Sequence, residues 1–274
     1  MRTARPLAAT AVTAGAAGAF ALLFAATPAG AADNATVSIL HGVPGVTVDV
    51  YANGEELLPD FAPGTLTEPL SLPAGDYDLA VYPAGADPAS TEPAAKADDV
   101  TVPAGANATV VAHLTADGKP VLTPFVNDVS AVPAGQARVT VRHTAAAPAV
   151  DVRADGAVVA PGLTNPNEAT LVVPAGTISA DVALAGTSTV AIGPADLTLT
   201  EGANTIVYAW GNGEAGYQLA VQTIGGMHSS PSGVPGGSAG LAEDGGVPVP
   251  LIAVSALGLG AAALGARRLA TSRV

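Results

Sequence analysis

The stretch TVSILHGVPGVTVDVYANG, residues 36–54, returns as RVTVRHTAAAPAVDVRADG at residues 138–156. Val37, His41, Val48, Asp49, Val50 and Gly54 recur as Val139, His143, Val150, Asp151, Val152 and Gly156, each 102 positions further on. A match at constant offset with no gap means that one supersecondary unit has been used twice. The chain is therefore expected to fold as two related units.

Val37 and Ile39, then Val46, Val48 and Val50, alternate with polar or outward positions, the period of half-buried strands. Asn53-Gly54 and Asp155-Gly156 accept positive φ, as a two-residue hairpin turn requires. Further strands are expected over 66–72, 77–82, 99–102, 108–114 and 121–126. Pro-Ala-Gly turns begin at Pro73, Pro83, Pro103, Pro133 and Pro174, where proline presets φ and glycine closes the turn. Late in each unit, DVTVPAGANATVVAH from Asp99 returns as DLTLTEGANTIVYAW from Asp196, at an offset of 97. Loops between these blocks have therefore been shortened. The predicted fold class is all-β, with two tandem Ig-like β-sandwich domains at 34–127 and 136–225, each of about seven strands, and a linker near 127–136. No Cys–Trp–Cys spacing supports true immunoglobulin ancestry.

Both ends read as targeting or anchoring segments. Arg2 and Arg5, an apolar run and Ala29-Gly30-Ala31 form a secretory signal over 1–31. Residues 226–246 read as a Gly/Ser/Pro-rich stalk. Residues 247–266 carry no charge and are long enough to span a bilayer as a transmembrane helix. Arg267, Arg268 and Arg273 in the tail 267–274 place that tail in the cytoplasm and the repeats outside. Leu241-Ala242-Glu243-Asp244-Gly245 resembles a wall-sorting signal, with Asp244 where a threonine is expected. A retained single-pass anchor is the expected outcome.

All 23 acidic residues lie between Asp33 and Asp244, against five basic residues there, which leaves a net charge of −18. Such a surface repels phosphate backbones, so a nucleic-acid partner is excluded. There is no cysteine, hence no disulfide and no thiol chemistry.

His41, Asp49, His143 and Asp151 are the chemistry-bearing residues that survive duplication, with Tyr51 beside the first pair. They are the candidate binding residues. Strand parity puts His41 toward the core at a strand end and Asp49 on the opposite face, toward solvent. A catalytic pair needs both groups within hydrogen-bond reach, which these parities disfavour. The expected role of each His is to fasten its proline-containing loop by bonding backbone. Zinc needs three or four converging ligands, and four dispersed His without Cys do not supply them. Asp76, Asp78, Asp98 and Asp99 form no calcium-loop series. No cofactor is called for. Tyr51, Tyr82 and Trp210 are the aromatics able to stack on a sugar, with a core position the more usual one for Trp210.

SILHGVPGVTVDVYANG, followed by LPAGDYDLAVYPAG, resembles the repeated unit of the bacterial domain-of-unknown-function family DUF 4397. The resemblance covers residues 35 to about 225. In the second unit Arg153 replaces Tyr51, and Ser179-Ala180-Asp181 replaces the Tyr-Asp-Leu strand. The resemblance implies exported, surface-associated β-sandwich repeats and no established catalytic activity.

The expected function is that of a non-catalytic cell-envelope surface protein, a binding, adhesion or structural module with an envelope or extracellular partner. The alternative is an envelope hydrolase using His41 or His143.

Overall fold

A computed structural model describes residues 34–229. The signal, the transmembrane segment, the tail, the sorting motif Leu241–Gly245 and most of the stalk lie outside the described residues.

The first repeat consists of β1 (Ala35–His41), β2 (Val48–Ala52), β3 (Glu55–Phe61), β4 (Leu70–Leu72), β5 (Gly75–Pro83), β6 (Ala95–Val102), β7 (Asn107–Leu114) and β8 (Pro120–Val126). The second repeats the series as β9 (Gln136–Ala146), β10 (Val150–Ala154), β11 (Ala157–Leu163), β12 (Glu168–Pro174), β13 (Gly176–Leu184), β14 (Val190–Leu199), β15 (Asn204–Asn212) and β16 (Gly216–Ile224). No helix occurs among the described residues. Each repeat holds two four-stranded sheets, ordered β4-β1-β7-β8 and β3-β2-β5-β6 in the first, β12-β9-β15-β16 and β11-β10-β13-β14 in the second. Strands pair antiparallel except β1 with β7 and β9 with β15, which are parallel.

There are eight strands per repeat, one more than the periodicity implies. The additional one is β3, in which EELLPDF lacks alternation and contains Pro59. It pairs with β2 across a bulge and sits at the sheet edge, where a missing amide donor is tolerated. Asn53 and Asp155 take positive φ in the turns their sequence predicts, at 52° and 50°.

The two sheets of each repeat close over an aliphatic core. Val37, Ile39, Val110 and Ala112 from one sheet meet Val50, Leu79 and Val81 from the other. Val139, Val141 and Val207 meet Val150, Val152 and Val182 likewise.

The second face of the inner sheets is also covered, which the alternation did not predict. Leu40 and Val111 of the first repeat pack against Ile206 and Tyr208 of the second, with Leu66, Phe125, Ala220 and Ile224 around them. β1, β7, β9 and β15 are therefore buried on both faces, so Ser38, Leu40, Thr109, Thr140 and Arg142 are buried too, not outward. The repeats are fused face to face.

The seam is polar at its centre, where Gln222 and Arg142 match several groups, although the buried indole Nε1 of Trp210 has no partner among the described residues. Gln222 Oε1 accepts from Thr109 (3.0 Å) and Tyr208 (2.7 Å), and Gln222 Nε2 donates to Ser38 (3.2 Å). Arg142, 1% exposed, donates to Tyr208 Oη (2.9 Å) and Glu168 (2.7 Å) and lies 4.5 Å over the Phe125 ring. Asn165 donates to the carbonyls of Leu114 and Ala145, one from each repeat. Trp210 is buried against Gly42 and Gly64 of the first repeat. A Cβ on Gly64, whose φ is +78°, would stand 2.9 Å from the indole ring.

The segment read as a linker is pinned. Val132 is fully buried, and Arg138 donates to the Asp128 and Ser130 carbonyls and to the Ser130 hydroxyl. The first residues assigned to the stalk also belong to the fold. Met227 is buried and exchanges backbone hydrogen bonds with Val132 and Gly202, while His228 bridges to Val132.

Candidate functional site

His41 ends β1, where the chain turns into the loop before β2. Its Nε2 donates to the Val46 carbonyl at 2.7 Å, its Nδ1 accepts from the Val43 amide at 3.4 Å, and its ring stacks on Phe61 at 5.8 Å. His143, at the equivalent place in β9, donates from Nε2 to the Pro148 carbonyl at 3.0 Å. Each imidazole fastens the loop that follows it, the role expected from its position. Nδ1 of His143 has no partner among the described residues.

Asp49 corrects the sequence reading. Parity does put it on the face away from the core, but it is buried and not solvated. One oxygen accepts from the Asp60 amide and the other from the Gly85 amide, both at 2.8 Å. Asp60 stands at the β2–β3 bulge with φ 49°, and Gly85 begins the next loop. The carboxylate thus holds two irregular segments to one strand. Asp151 does the same through the amides of Gly162 and Gly186, again at 2.8 Å. Glycine at 162, with φ 63°, adopts without strain the conformation that Asp60 takes in the first repeat. These amides hold the Asp151 carboxyl below its ordinary range.

His41 and Asp49 share no hydrogen bond, nor do His143 and Asp151, among the described residues. No group of three or more His, Asp or Glu side chains converges as a metal site there either.

Tyr51 and Tyr82 are brought together. Their rings meet edge to face at 5.3 Å on the outer side of the β3-β2-β5-β6 sheet, and the Tyr51 hydroxyl bonds Glu56. Beside them is a shallow depression of about 190 Å³, bordered by Asp78, Pro88 and Lys96. In the second repeat the position of Tyr51 carries Arg153, which is ion-paired to Asp181 on the neighbouring strand. The aromatic pair therefore belongs to one repeat alone. Trp210 is not part of it, being enclosed in the seam.

Sequence reasoning missed His113. It is fully buried in β7, bonding the Leu114 carbonyl and the Thr123 hydroxyl. It does not recur, because Trp210 occupies the equivalent place, so a search for duplicated residues passes over it.

Burial lowers the pKa of His41, His113 and His143 below the usual 6.5. The unfolded chain then takes up protons at higher pH than the folded one, so stability rises with pH between the two values. The stabilisation is complete above about pH 6.5 and is lost progressively as pH falls toward the folded pKa values. The urea midpoint is expected to be higher at about pH 7.5 than at about pH 5, and equal midpoints would contradict the neutral, buried histidines.

Residues 35–153 match the family model described as "Domain of unknown function (DUF4397)". That match spans the whole of the first repeat. The DUF4397 match runs on through β9 and β10, ending at Arg153, and the second repeat is recognised by its repeated pair of sheets. No curated protein matches the chain. Among solved structures, the chain is similar to a "putative cell adhesion protein" from Bacteroides uniformis ATCC 8492, at 11% identity and a TM-score of 0.19, over 70% of this chain and 98% of that one.

Proposed function

We propose that the chain is a non-catalytic surface protein of the cell envelope, a binding, adhesion or structural module presented outside the membrane. In this reading each repeat is an Ig-like sandwich, 1–31 direct export, and 247–266 anchor the chain. One observation carries it: the chemistry-bearing residues that recur, His41 and Asp49 with His143 and Asp151, are each engaged by loop backbone. A group already satisfied in that way, without a second reactive group beside it, is a fastener. The half-buried Tyr51–Tyr82 pair, on the face turned away from the seam, is the surface best suited to a partner with apolar or sugar faces.

The full chain is to be presented to wall polymers, envelope extracts and host matrix, with and without calcium. Capture is expected, and Tyr51→Ala with Tyr82→Ala should weaken it by about tenfold, as for an aromatic anchor. Hydrolytic turnover lost in His41→Gln or His143→Gln, with the fold intact, would overturn the proposal in favour of the hydrolase.

A further inference from the structure

The two repeats differ in how well their cores are filled. The second contains a cavity of about 140 Å³ between its sheets, whereas the equivalent space in the first is about 30 Å³. The strand registers show which side chains make the difference. Tyr77 pairs with Val100 as Ile178 pairs with Leu197, so Ile178 stands where Tyr77 does. By the same registers Ala180 replaces Leu79, and both of these residues line their respective spaces. The β10-β13-β14 side has lost volume that the facing sheet has not replaced.

The cavity also opens at one edge. Leu122 of β8 and Leu219 of β16 are equivalent, being paired with Ala112 and Ala209. Leu122 is 9% exposed, but Leu219 is 37% exposed, and Val221 beside it 48%. The opening lies between β14 and β16, the outer strands on the same side of the two sheets. Inside, the side chains facing the space are aliphatic, among them Val139, Val207, Ile178, Val182, Ile192 and Leu197. None is aromatic, and the charged residues among the lining, Arg153, Asp181 and Asp196, alternate with aliphatic neighbours on their strands, Arg153 and Asp181 being paired with each other. A polar group could not enter without losing its water. An apolar cavity of about 150 Å³ stays dry and takes up a hydrocarbon of matching size.

We propose that the second repeat binds the end of an alkyl chain, inserted between β14 and β16 into the cavity under Ile178 and Ala180. The first repeat, filled by Tyr77 and Leu79, does not bind one. The site is separate from the Tyr51–Tyr82 surface and independent of what that surface contacts.

The test is methyl NMR of the full chain with labelled isoleucines, titrated with n-hexane and separately with benzene. Ile178 and Ile192 line the cavity, Ile39 lines the filled space of the first repeat, and Ile206 lies in the seam. Hexane is expected to shift Ile178 and Ile192 saturably and leave Ile39 and Ile206 in place. Ala180→Leu, which restores the residue of the first repeat, should weaken the response by about tenfold, because it occupies the volume the ligand needs. If that variant does not fold, the converse substitution Leu79→Ala should make Ile39 responsive. No response to hexane, equal shifts at all four methyls, or binding of benzene alone would each overturn the proposal.

Discussion

Replacing Arg142 by alanine is expected to destabilise the protein by about 3 kcal/mol, through a cavity in the seam and a lost charged hydrogen bond. The guanidinium lies over Phe125 of the other repeat and donates to the Tyr208 hydroxyl, so its removal empties the space between two sheets. The charge is matched by Glu168, which reaches solvent at one side. Arg142→Met separates the two contributions. It keeps apolar bulk against Phe125 and leaves no buried cation behind, and well-packed hydrophobic replacements of buried ion pairs are often neutral. Urea midpoints should therefore fall in the order wild type, Arg142→Met, Arg142→Ala. A cost below about 1 kcal/mol for Arg142→Ala would mean that the guanidinium does not pack the seam.

The second large effect is expected at Asp49. Alanine there leaves the amides of Asp60 and Gly85 without their acceptor, and each orphaned buried donor costs about 1–3 kcal/mol. Partial exposure of the freed loops to water sets the expected total near the low end, about 2 kcal/mol. Asn keeps one carbonyl oxygen but puts an NH₂ opposite the second amide, so Asp49→Asn should recover only part of the loss. Asp151→Ala should act in the same direction through Gly162 and Gly186. Hydrogen exchange gives the discriminating readout. The Asp60 and Gly85 amides should lose protection in Asp49→Ala while those of β7 keep it. Unchanged protection at both amides would contradict the fastening role.

The strands were legible wherever one face of a residue pattern meets a core. Val37, Ile39, Val48 and Val50 alternate because β1 and β2 each turn one face to the space between the sheets, and the Asn53 and Asp155 turns follow from residues that tolerate positive φ. β3 was not legible, since an edge strand with a bulge needs neither strict alternation nor a full set of amides. The seam escaped for a different reason. Ser38, Thr109, Thr140 and Arg142 look like solvent-facing residues, and only their pairing with Gln222, Asn204 and Tyr208 makes their burial tolerable. A single sequence does not reveal that the polar faces of two repeats complement each other. Asp49 was misplaced by the same limit. Parity gives the side of the sheet, but not the loop that folds over it. The histidines were readable because a strand end followed by a proline-containing loop leaves backbone carbonyls within reach of one imidazole.

Calorimetry of the full chain tests most directly whether the two repeats are one body. With Leu40, Val111, Ile206 and Tyr208 packed as a shared core and Gln222 bonded to Ser38 and Thr109, neither repeat can unfold without exposing the inner face of the other. A single transition is predicted for the repeats, with a calorimetric enthalpy equal to the van't Hoff enthalpy. Two separate transitions in the wild-type chain, one for each repeat, would contradict the fused architecture.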